Sequence, residues 1–379
     1  MNRRTLAVAL LTLLVAGCAT RPPEPAPPAA WTFAVSGDSR NCGNLVMPAI
    51  ARSTRGAGDR FYWHLGDLRR TSAADEDLLR EPRFRAAPPG KREYQDLEWP
   101  DFLAHQVEPF GDLPFFLGIG NHETVAPKTR EEFRSVFATL LDRPEIRANR
   151  QADQARLGAV ATRGVSTYYH WVAGGVDFIN LDNANDSFDP AQLAWFDALV
   201  AADLRDPAIR TLVVGMHEAL PHSLGDNHSM CSSGAGIASG ERVYRKLVEA
   251  EAAKKRIYVL ASHSHFFLAH VFDTPWWHDP AHGAHPLPGW IVGTAGAVRY
   301  PLPQGVVAGS DARTHVYGYL RGTVSADGQI AFAFQELGEG DLQQARGPDY
   351  TAEDAAFCFR ANPEPERLGK AAPDPACTE

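Results

Sequence analysis

The chain lacks features that mark three large classes of protein. The apolar stretch from Leu6 to Ala16 is far shorter than the roughly 20 residues that a permanent transmembrane helix needs. The formal net charge is −9 and no basic stripe is present, which argues against duplex nucleic acid as a partner. No Gly-x-Ser-x-Gly motif is present, which weakens an assignment as a serine esterase. There is also no internal repeat.

A short leader opens the chain. A basic start precedes the apolar stretch, and small residues follow it up to Cys18, as in export signals. Val15-Ala16-Gly17-Cys18 resembles a bacterial lipobox, in which the cysteine is lipidated and becomes the first mature residue. The alternative is an ordinary signal peptide that is cleaved near Ala19. We predict a signal peptide over residues 1–17 and a lipid anchor on Cys18. Such an anchor would hold the protein at the periplasm-facing membrane surface of the bacterial cell envelope without spanning the bilayer.

The predicted mature chain begins with a tether and is acidic. Residues 18–30 follow the leader and are rich in proline, which is typical of an extended, semi-rigid spacer. Cleavage before Cys18 removes Arg3 and Arg4 but no acidic residue, so the formal net charge falls from −9 to −11. The membrane is therefore expected as a partner only through the lipid.

Cysteine is scarce, and four cysteines remain beyond the predicted anchor. They are Cys42, Cys231, Cys358 and Cys377. An exported protein is able to keep disulfides. Cys358 with Cys377 would staple the C-terminal tail, and Cys42 with Cys231 would join two loops. The sequence does not determine the connectivity, and four free thiols are the other possibility.

Strand-like and helical segments alternate from about residue 31 to residue 337. Helical patterns cover Asn44–Arg55, Gln192–Ala202 and Glu241–Lys254. Asp189-Pro190 gives the second of them a start signal. Alternation of this kind predicts a layered α/β domain. Later strands follow one another closely, with a hairpin signal at Asp327-Gly328. We predict one domain with two sheets over residues 31–337.

Three segments depart from this pattern. Residues 69–112 are polar and charged, and residues 124–163 have a largely helical pattern. Both directly follow a motif described below, so they either overhang the site as a lid or substrate wall or are solvated surface helices. Residues 338–379 are polar and contain proline, and we predict a C-terminal tail laid over the domain.

Five short polar motifs each follow an apolar run of strand length. They are Gly37-Asp38, Gly66-Asp67, Gly120-Asn121-His122-Glu123, His217 and His263-Ser264-His265. The preceding runs are WTFAVS, FYWHL, FFLGI, TLVVGM and RIYVLAS. In open α/β sheets, ligand sites gather where strands end. Two carboxylates, an amide and three imidazoles brought together there would bind one or two divalent metal ions and activate water.

Each motif alone also has an ordinary structural interpretation. A lone aspartate often caps a turn or a helix, and His217 alone is consistent with a buried histidine whose hydrogen bonds are made within the core. His263 and His265 are consistent with an ordinary loop. Two Gly-Asp pairs after consecutive strands carry more weight, because glycine permits a sharp turn beside each carboxylate. Asn121 is an uncommon but good oxygen ligand, and it leaves the adjacent His122 free for proton transfer. The alternation of His263 and His265 puts both imidazoles on one side of an extended segment.

Taken in this order, the motifs resemble those of the calcineurin-like metallophosphoesterase family, which includes the purple acid phosphatases. The resemblance covers roughly residues 31–336 and implies a four-layer α/β/β/α sandwich of two mixed sheets flanked by helices. It implies that Asp38 and His265 bind one metal ion, that Asp67 bridges two ions, and that Asn121, His217 and His263 bind the other ion. It also implies that His122 is the catalytic histidine facing the phosphate and the leaving group, with Glu123 as an acid that supports the ligands.

The first metal site departs from the family pattern. The family's first motif is usually Asp-x-His, whereas this chain has Asp38-Ser39-Arg40. Arg70 stands where purple acid phosphatases have a tyrosine ligand, and Ser262 replaces a usual glycine. This metal site is therefore short of a ligand, which water would replace unless the site is weak or empty. Arg40 either presents its guanidinium to a phosphate oxygen as a substrate-binding residue or forms a structural ion pair.

The implied function is hydrolysis of a small phosphate mono- or diester by metal-activated water. One or two divalent or trivalent ions (Mn, Fe, Zn, Co or Mg) would serve as cofactors, and the phosphate ester would be the small-molecule partner. One alternative is a catalytically degenerate surface binding lipoprotein of the same fold with only one metal ion. Another is a metal-dependent hydrolase of other esters.

Two further features carry less weight. The glycine-rich stretch from residue 234 to residue 240 resembles a nucleotide-binding loop only loosely, and we predict that it shapes the loop after His217. His278, His282 and His285 lie in a tryptophan- and proline-rich segment, where exposed loop histidines are commoner than ligands.

Overall fold

The computed structural model describes residues 30–225, 228–282 and 284–360. Its strands are β1 (Trp31–Ser36), β2 (Tyr62–His64), β3 (Phe115–Leu117), β4 (Tyr169–Ala173), β5 (Val176–Asn180), β6 (Thr211–Gly215), β7 (Arg256–Ala261), β8 (Phe267–Ala269), β9 (Gly289–Val292), β10 (Ala312–Arg313), β11 (Tyr317–Val324) and β12 (Ile330–Leu337). Its α-helices are α1 (Gly43–Ala57), α2 (Pro82–Arg85), α3 (Lys91–Phe102), α4 (Arg130–Val136), α5 (Ala138–Leu141), α6 (Pro144–Arg156), α7 (Pro190–Arg205), α8 (Gly234–Ala252), α9 (Pro275–His278), α10 (Glu339–Ala345) and α11 (Ala352–Arg360). The predicted leader, Cys18, most of the tether and Cys377 lie outside the described residues.

The strands form two mixed sheets. The first has five strands in the order β12-β11-β1-β2-β3, in which β1, β2 and β3 are parallel and β11 and β12 are antiparallel to their neighbours. The second has seven strands in the order β10-β8-β9-β7-β6-β5-β4, with a parallel centre formed by β5, β6, β7 and β9. The hairpin predicted at Asp327-Gly328 joins β11 to β12, and Gly328 has the left-handed φ of 87° that favours glycine.

Aromatic side chains fill the space between the two sheets. Trp171 from the second sheet stacks on Phe116 from the first, with ring centroids 3.8 Å apart. Trp63 meets the same indole edge to face at 5.0 Å, and its Nε1–H donates to Asn180 at 3.0 Å across the layers. Because large rings bury much apolar area, this interface holds the sheets face to face.

Helices cover the two outer faces. On the first sheet, the Tyr62 hydroxyl lies 2.7 Å from the hydroxyl of Ser36 and 3.6 Å from the sulfur of Met47 on α1. On the second sheet, one buried cluster joins strand residues Ile179, Leu212, Val214 and Val259 to α7 and α8 residues Leu193, Phe196, Leu199, Val243 and Leu247. The four-layer α/β/β/α sandwich with two mixed sheets, predicted above as the fold class, is therefore confirmed. Among the described residues, no helix combines the length and the apolarity needed to cross a membrane.

The C-terminal segment is tied to the domain by a disulfide. Cys358 on α11 bonds to Cys42 at the start of α1, and α10 contacts α1. Neither pairing considered from the sequence is therefore correct, since Cys42 was matched with Cys231 and Cys358 with Cys377. Sequence spacing could not identify the pair because the two cysteines are 316 positions apart and meet only through the folding of α11 onto α1.

Residues 69–112 begin beside the motifs and continue as buried structure. Arg69 is fully buried, with its guanidinium 3.0 Å from Asp77 and in contact with Asp101 on α3. Tyr94 and Trp99 of α3 are also buried. The segment therefore combines a buried ion-pair network around Arg69 with exposed charged residues such as Arg83 and Arg85, so the alternative of solvated surface helices holds for only part of it.

Two local predictions need correction. The glycine-rich stretch from residue 234 forms the first turns of α8 instead of a loop, because Ser233 caps the helix by accepting the Gly236 N–H at 3.0 Å. A side chain at Gly240 would lie 2.3 Å from Pro221, so the helix needs glycine there for close packing. The hairpin of β4 and β5, which turns at Gly174 and Gly175, was not predicted from the sequence.

Candidate metal centre

The five motifs meet at the carboxyl ends of β1, β2, β3, β6 and β7. Backbone hydrogen bonds join the loops there: the Asp38 N–H donates to Gly66 O at 2.9 Å, and the Ser262 N–H donates to His217 O at 2.9 Å. The Gly37 N–H donates to Val292 O at 3.0 Å and links the two sheets at the same point. All six predicted metal ligands, together with His122 and Arg40, are brought into one connected cluster.

His217 lies at the centre of one half of this cluster. Its Nε2 atom is 3.0 Å from Asn121 Oδ1, 3.0 Å from His263 Nδ1 and 3.3 Å from Asp67 Oδ1. Ligand atoms of Asp67, His217 and His263 all lie within 4.8 Å of one another. We call Asp67, Asn121, His217 and His263 the inner set. It contains one carboxylate, one amide and two imidazoles, which suits Zn, Mn, Fe or Co.

The inner set has more lone pairs than protons. The Nδ1 atom of His217 lies 3.0 Å from Leu65 O, and a carbonyl only accepts, so Nδ1 carries the hydrogen of the neutral ring. In that neutral form Nε2 presents a lone pair to Asn121 Oδ1 and Asp67 Oδ1, which are also acceptors. A proton on Nε2 would serve one of these neighbours at a time, whereas a metal ion would bind all of them. The residues therefore fit a metal ion.

Two residues of the inner set are held by groups behind them. Glu123 accepts the backbone N–H groups of Asp67 at 2.9 Å and of Gly120 at 2.7 Å, which fixes the second motif against the third. Asn183 accepts the N–H of His217 at 3.1 Å and fixes the fourth motif. Asn183 was not predicted from the sequence, although the strand-like run VDFIN ends shortly before it and could have indicated another strand that leads to the site.

His228 is a further histidine at this centre. Its Nδ1 atom lies 3.3 Å from Nε2 of His263, and its ring packs against Tyr300 with centroids 5.3 Å apart. The sequence placed His228 in the loop after His217 but offered no spacing that would distinguish it from an exposed loop histidine. The other loop histidines lie elsewhere, with His278 bonded to Asp273 at 2.5 Å and His282 stacked on Trp276.

The other half of the cluster contains Asp38, His265 and Arg40. Asp38 is fully buried, and it accepts the His263 N–H at 2.6 Å through one oxygen while the other lies 3.1 Å from His265 Nε2. The Arg40 Nη2 atom is 2.9 Å from the same His265 nitrogen, and Arg40 Nη1 contacts His122 Nε2. Arg40 Nε lies 3.7 Å from Asp67 Oδ2. The guanidinium therefore lies between three of the residues predicted for metal binding and catalysis.

His122 faces the same space. Its backbone N–H donates to Asp67 Oδ1 at 3.0 Å, and its Nδ1–H donates to the backbone oxygen of Arg70 at 2.7 Å. Its Nε2 lies 3.8 Å from Asp67 Oδ2, an oxygen that is buried and accepts no hydrogen bond among the described residues. The Nε2 lone pair of His122 is therefore oriented toward the carboxylate of Asp67 and toward Arg40.

The charges at the centre attract a cation. Burial opposes protonation of His217, but the Asp67 carboxylate outweighs it and raises the pKa of His217 to about 10. Burial, reinforced by His217, holds the pKa of His263 well below its ordinary value. Burial likewise lowers the pKa of His122 and of His265, in both cases with help from Arg40. Without a metal ion His217 therefore holds a second proton on Nε2, which a metal ion bound there would replace. The other three imidazoles are neutral, which is the form in which histidine binds metal.

Comparisons with known proteins find only distant likenesses. No family model matches the chain, and no curated protein sequence matches it. Among solved structures, a purple acid phosphatase from yellow lupin seeds is 14% identical with a TM-score of 0.49, covering 85% of this chain and 57% of its own. PhoD is 14% identical with a TM-score of 0.46, covering 88% of this chain and 77% of its own. A dimetal phosphatase from Danio rerio is 10% identical with a TM-score of 0.44, and the match covers 80% of this chain and 98% of the phosphatase. The chain thus spans little more than half the length of the lupin protein, and its fold class rests on its own strand order and layers.

Proposed function

We propose that this protein is a metal-dependent phosphoester hydrolase that acts on a small phosphate mono- or diester. The observation that carries the proposal is the inner set, in which oxygens of Asp67 and Asn121 and a ring nitrogen of His263 converge on Nε2 of His217 within 3.0–3.3 Å. A divalent ion held by these residues would lower the pKa of a coordinated water and neutralise charge on a phosphate oxygen.

Arg40 is the group proposed to bind the phosphate. A guanidinium has five N–H donors, and the contacts with His122 and His265 use two of them. Its side chain is 13% exposed, so part of it remains accessible from solvent. The remaining N–H groups would donate to phosphate oxygens and hold the ester beside the inner set.

His122 is the proposed proton carrier. Its ring is oriented by the Nδ1–H···O bond to Arg70, which leaves Nε2 as the nitrogen that exchanges a proton with a leaving oxygen. Because Arg40 contacts this nitrogen in the structure, bound phosphate would have to draw part of the guanidinium away before His122 acts.

A metal-reconstituted assay with a generic aryl phosphate monoester and diester tests the proposal. His217→Ala should lose both bound metal and hydrolysis, whereas His122→Ala should keep the metal and lose activity by about 10²- to 10⁴-fold. His278→Ala, which changes an exposed histidine outside the centre, is the matched control and should behave like the wild type. If metal-loaded protein hydrolyses neither ester, the enzyme proposal fails.

A surface binding protein of the same fold is the second candidate function. It is favoured by the contacts of Arg40 with both His122 and His265, which keep those two imidazoles occupied. Phosphate binding without hydrolysis in the assay above would support it over the enzyme.

We also propose that the protein works outside the cytoplasm, anchored by Cys18. The leader supports this, and so does the disulfide between Cys42 and Cys358, because such bonds persist in exported proteins. Radiolabelled fatty acid should enter the wild type but not Cys18→Ser. Equal labelling of the two would refute the anchor.

A further inference from the structure

We infer that the guanidinium of Arg40 is the second cation of this centre, so that the chain binds a single metal ion in the inner set. The inference rests on the proposed function insofar as that function requires a metal ion. It concerns how many ions the site takes and what replaces the other.

The guanidinium lies where a second metal ion is expected. Asp38 and His265 are the pair that the sequence assigned to a first metal ion, and Arg40 Nη2 lies 2.9 Å from His265 Nε2. Arg40 Nε faces Asp67 Oδ2 at 3.7 Å, while Oδ1 of the same carboxylate faces His217 at 3.3 Å. Asp67 is therefore shared between the inner set and a guanidinium, where a two-metal centre would share it between two ions.

Two histidine nitrogens at the centre accept hydrogen bonds from Arg40. His265 Nδ1 lies 2.6 Å from Val298 O and must donate to it, so His265 Nε2 presents a lone pair. The same holds for His122, whose Nδ1–H donates to Arg70 O. Both lone pairs receive N–H groups from Arg40. A guanidinium N–H thus reaches each of these nitrogens, although His265 Nε2 also lies 3.1 Å from Asp38 Oδ1.

The backbone at Arg40 is also held in place. The Cys42 N–H donates to Arg40 O at 2.9 Å, and the Cys42 side chain is fixed by its disulfide to Cys358. The neighbouring Asn41 N–H donates to Asp75 at 2.6 Å. These bonds fix the backbone from which the Arg40 side chain extends, and a divalent ion entering beside Asp38 would meet the positive charge of its guanidinium.

Counting bound ions tests the inference without any use of activity. Wild-type protein and variants are titrated with Zn²⁺ and with Mn²⁺ by calorimetry, and the bound ions are counted by elemental analysis after desalting. Wild type should bind one ion per chain. Arg40→His, which replaces the cation by a neutral nitrogen ligand, should bind two, and paired Mn²⁺ ions should give an exchange-coupled paramagnetic resonance signal.

Two other variants separate charge from side-chain loss. Arg40→Lys keeps a cation and should bind one ion, whereas Arg40→Ala should bind a second ion more weakly than Arg40→His. Arg85→Ala removes an exposed arginine paired with Asp354 and is the matched control, which should bind one ion. Arg40→Ala decides the question if Arg40→His does not fold.

Two outcomes overturn the inference: two ions in the wild type, or one ion in both Arg40→His and Arg40→Ala. Failure of the proposed function has a different signature. A wild-type chain with one ion and no hydrolysis would end that function and leave the inference standing, whereas an active chain with two ions would do the reverse.

Discussion

Glu123 should control the metal centre although it is not itself a proposed ligand. Its buried carboxylate accepts three backbone N–H groups, from Asp67 at 2.9 Å, Leu68 at 2.9 Å and Gly120 at 2.7 Å. These bonds join the loop after β2 to the loop after β3 and so fix Asp67 relative to Asn121. We predict that Glu123→Gln lowers both the free energy of unfolding and the affinity for metal.

The size of the effect follows from the three bonds. Oε2 of Glu123 accepts the N–H groups of Asp67 and Gly120, and Oε1 accepts that of Leu68. A glutamine has a single carbonyl oxygen, so its NH₂ group would face at least one backbone N–H and leave it without an acceptor. An unsatisfied buried donor costs about 1–3 kcal/mol. Loss of a group that orients a ligand typically weakens metal binding by about 10- to 100-fold.

Urea unfolding followed by tryptophan fluorescence measures the first effect, and calorimetric titration with Zn²⁺ measures the second. The matched control is Glu131→Gln, the same chemical change at an exposed position on α4. If Glu123→Gln unfolds at the same urea concentration as the wild type and binds Zn²⁺ equally well, the three bonds do not fix the centre and the reasoning is wrong.

Two further predictions concern stability away from the centre. Burial disfavours the charged form of His170, but Asp177 at 2.8 Å and Asp153 at 2.9 Å outweigh it and raise its pKa from 6.5 to about 10. The folded chain thus holds this proton more tightly than the unfolded chain. As the pH rises from about 6.5 to about 10, the free energy of unfolding measured with urea should therefore fall more for the wild type than for His170→Gln. Equal falls would contradict this. Replacing Cys42 and Cys358 together by serine should lower the free energy of unfolding by about 2–5 kcal/mol, because their bond spans a separation of 316 residues. An unchanged melting temperature would show that the disulfide does not stabilise the fold.

The strands that lead into the centre were predictable because their composition and their surroundings agree. The run WTFAVS coincides with β1, and the runs FYWHL, FFLGI, TLVVGM and RIYVLAS each contain the observed strand and extend past it by one or two residues. Buried parallel strands need continuous β-branched and aromatic residues, which few other structures favour. The polar residue that ends each run is then carried to the same edge of a sheet by the topology.

Features set by contacts between distant segments were not predictable. Arg69 lies in a polar stretch, and nothing in that stretch indicates that Asp101, 32 positions away, will pair with it. The disulfide and the contact of Arg40 with His265 are of the same kind, because each depends on segments more than two hundred positions apart. The sequence pattern can assign a side chain to the site, but the residue that the side chain contacts follows only from the tertiary packing.

Three of the proposed ligands have a strained backbone conformation. Asp38, Asp67 and His263 have left-handed φ values of 61°, 60° and 65°, a conformation that costs a non-glycine residue about 1–3 kcal/mol. The sharp turn that the sequence assigned to the glycine before each aspartate is thus made in part by the aspartate itself. Gly120 has a different role, since a side chain there would lie 2.4 Å from Asp67 Oδ1. Stability alone would favour glycine at all three strained positions, so the side chains present there are better explained by what they bind than by the folding of their loops.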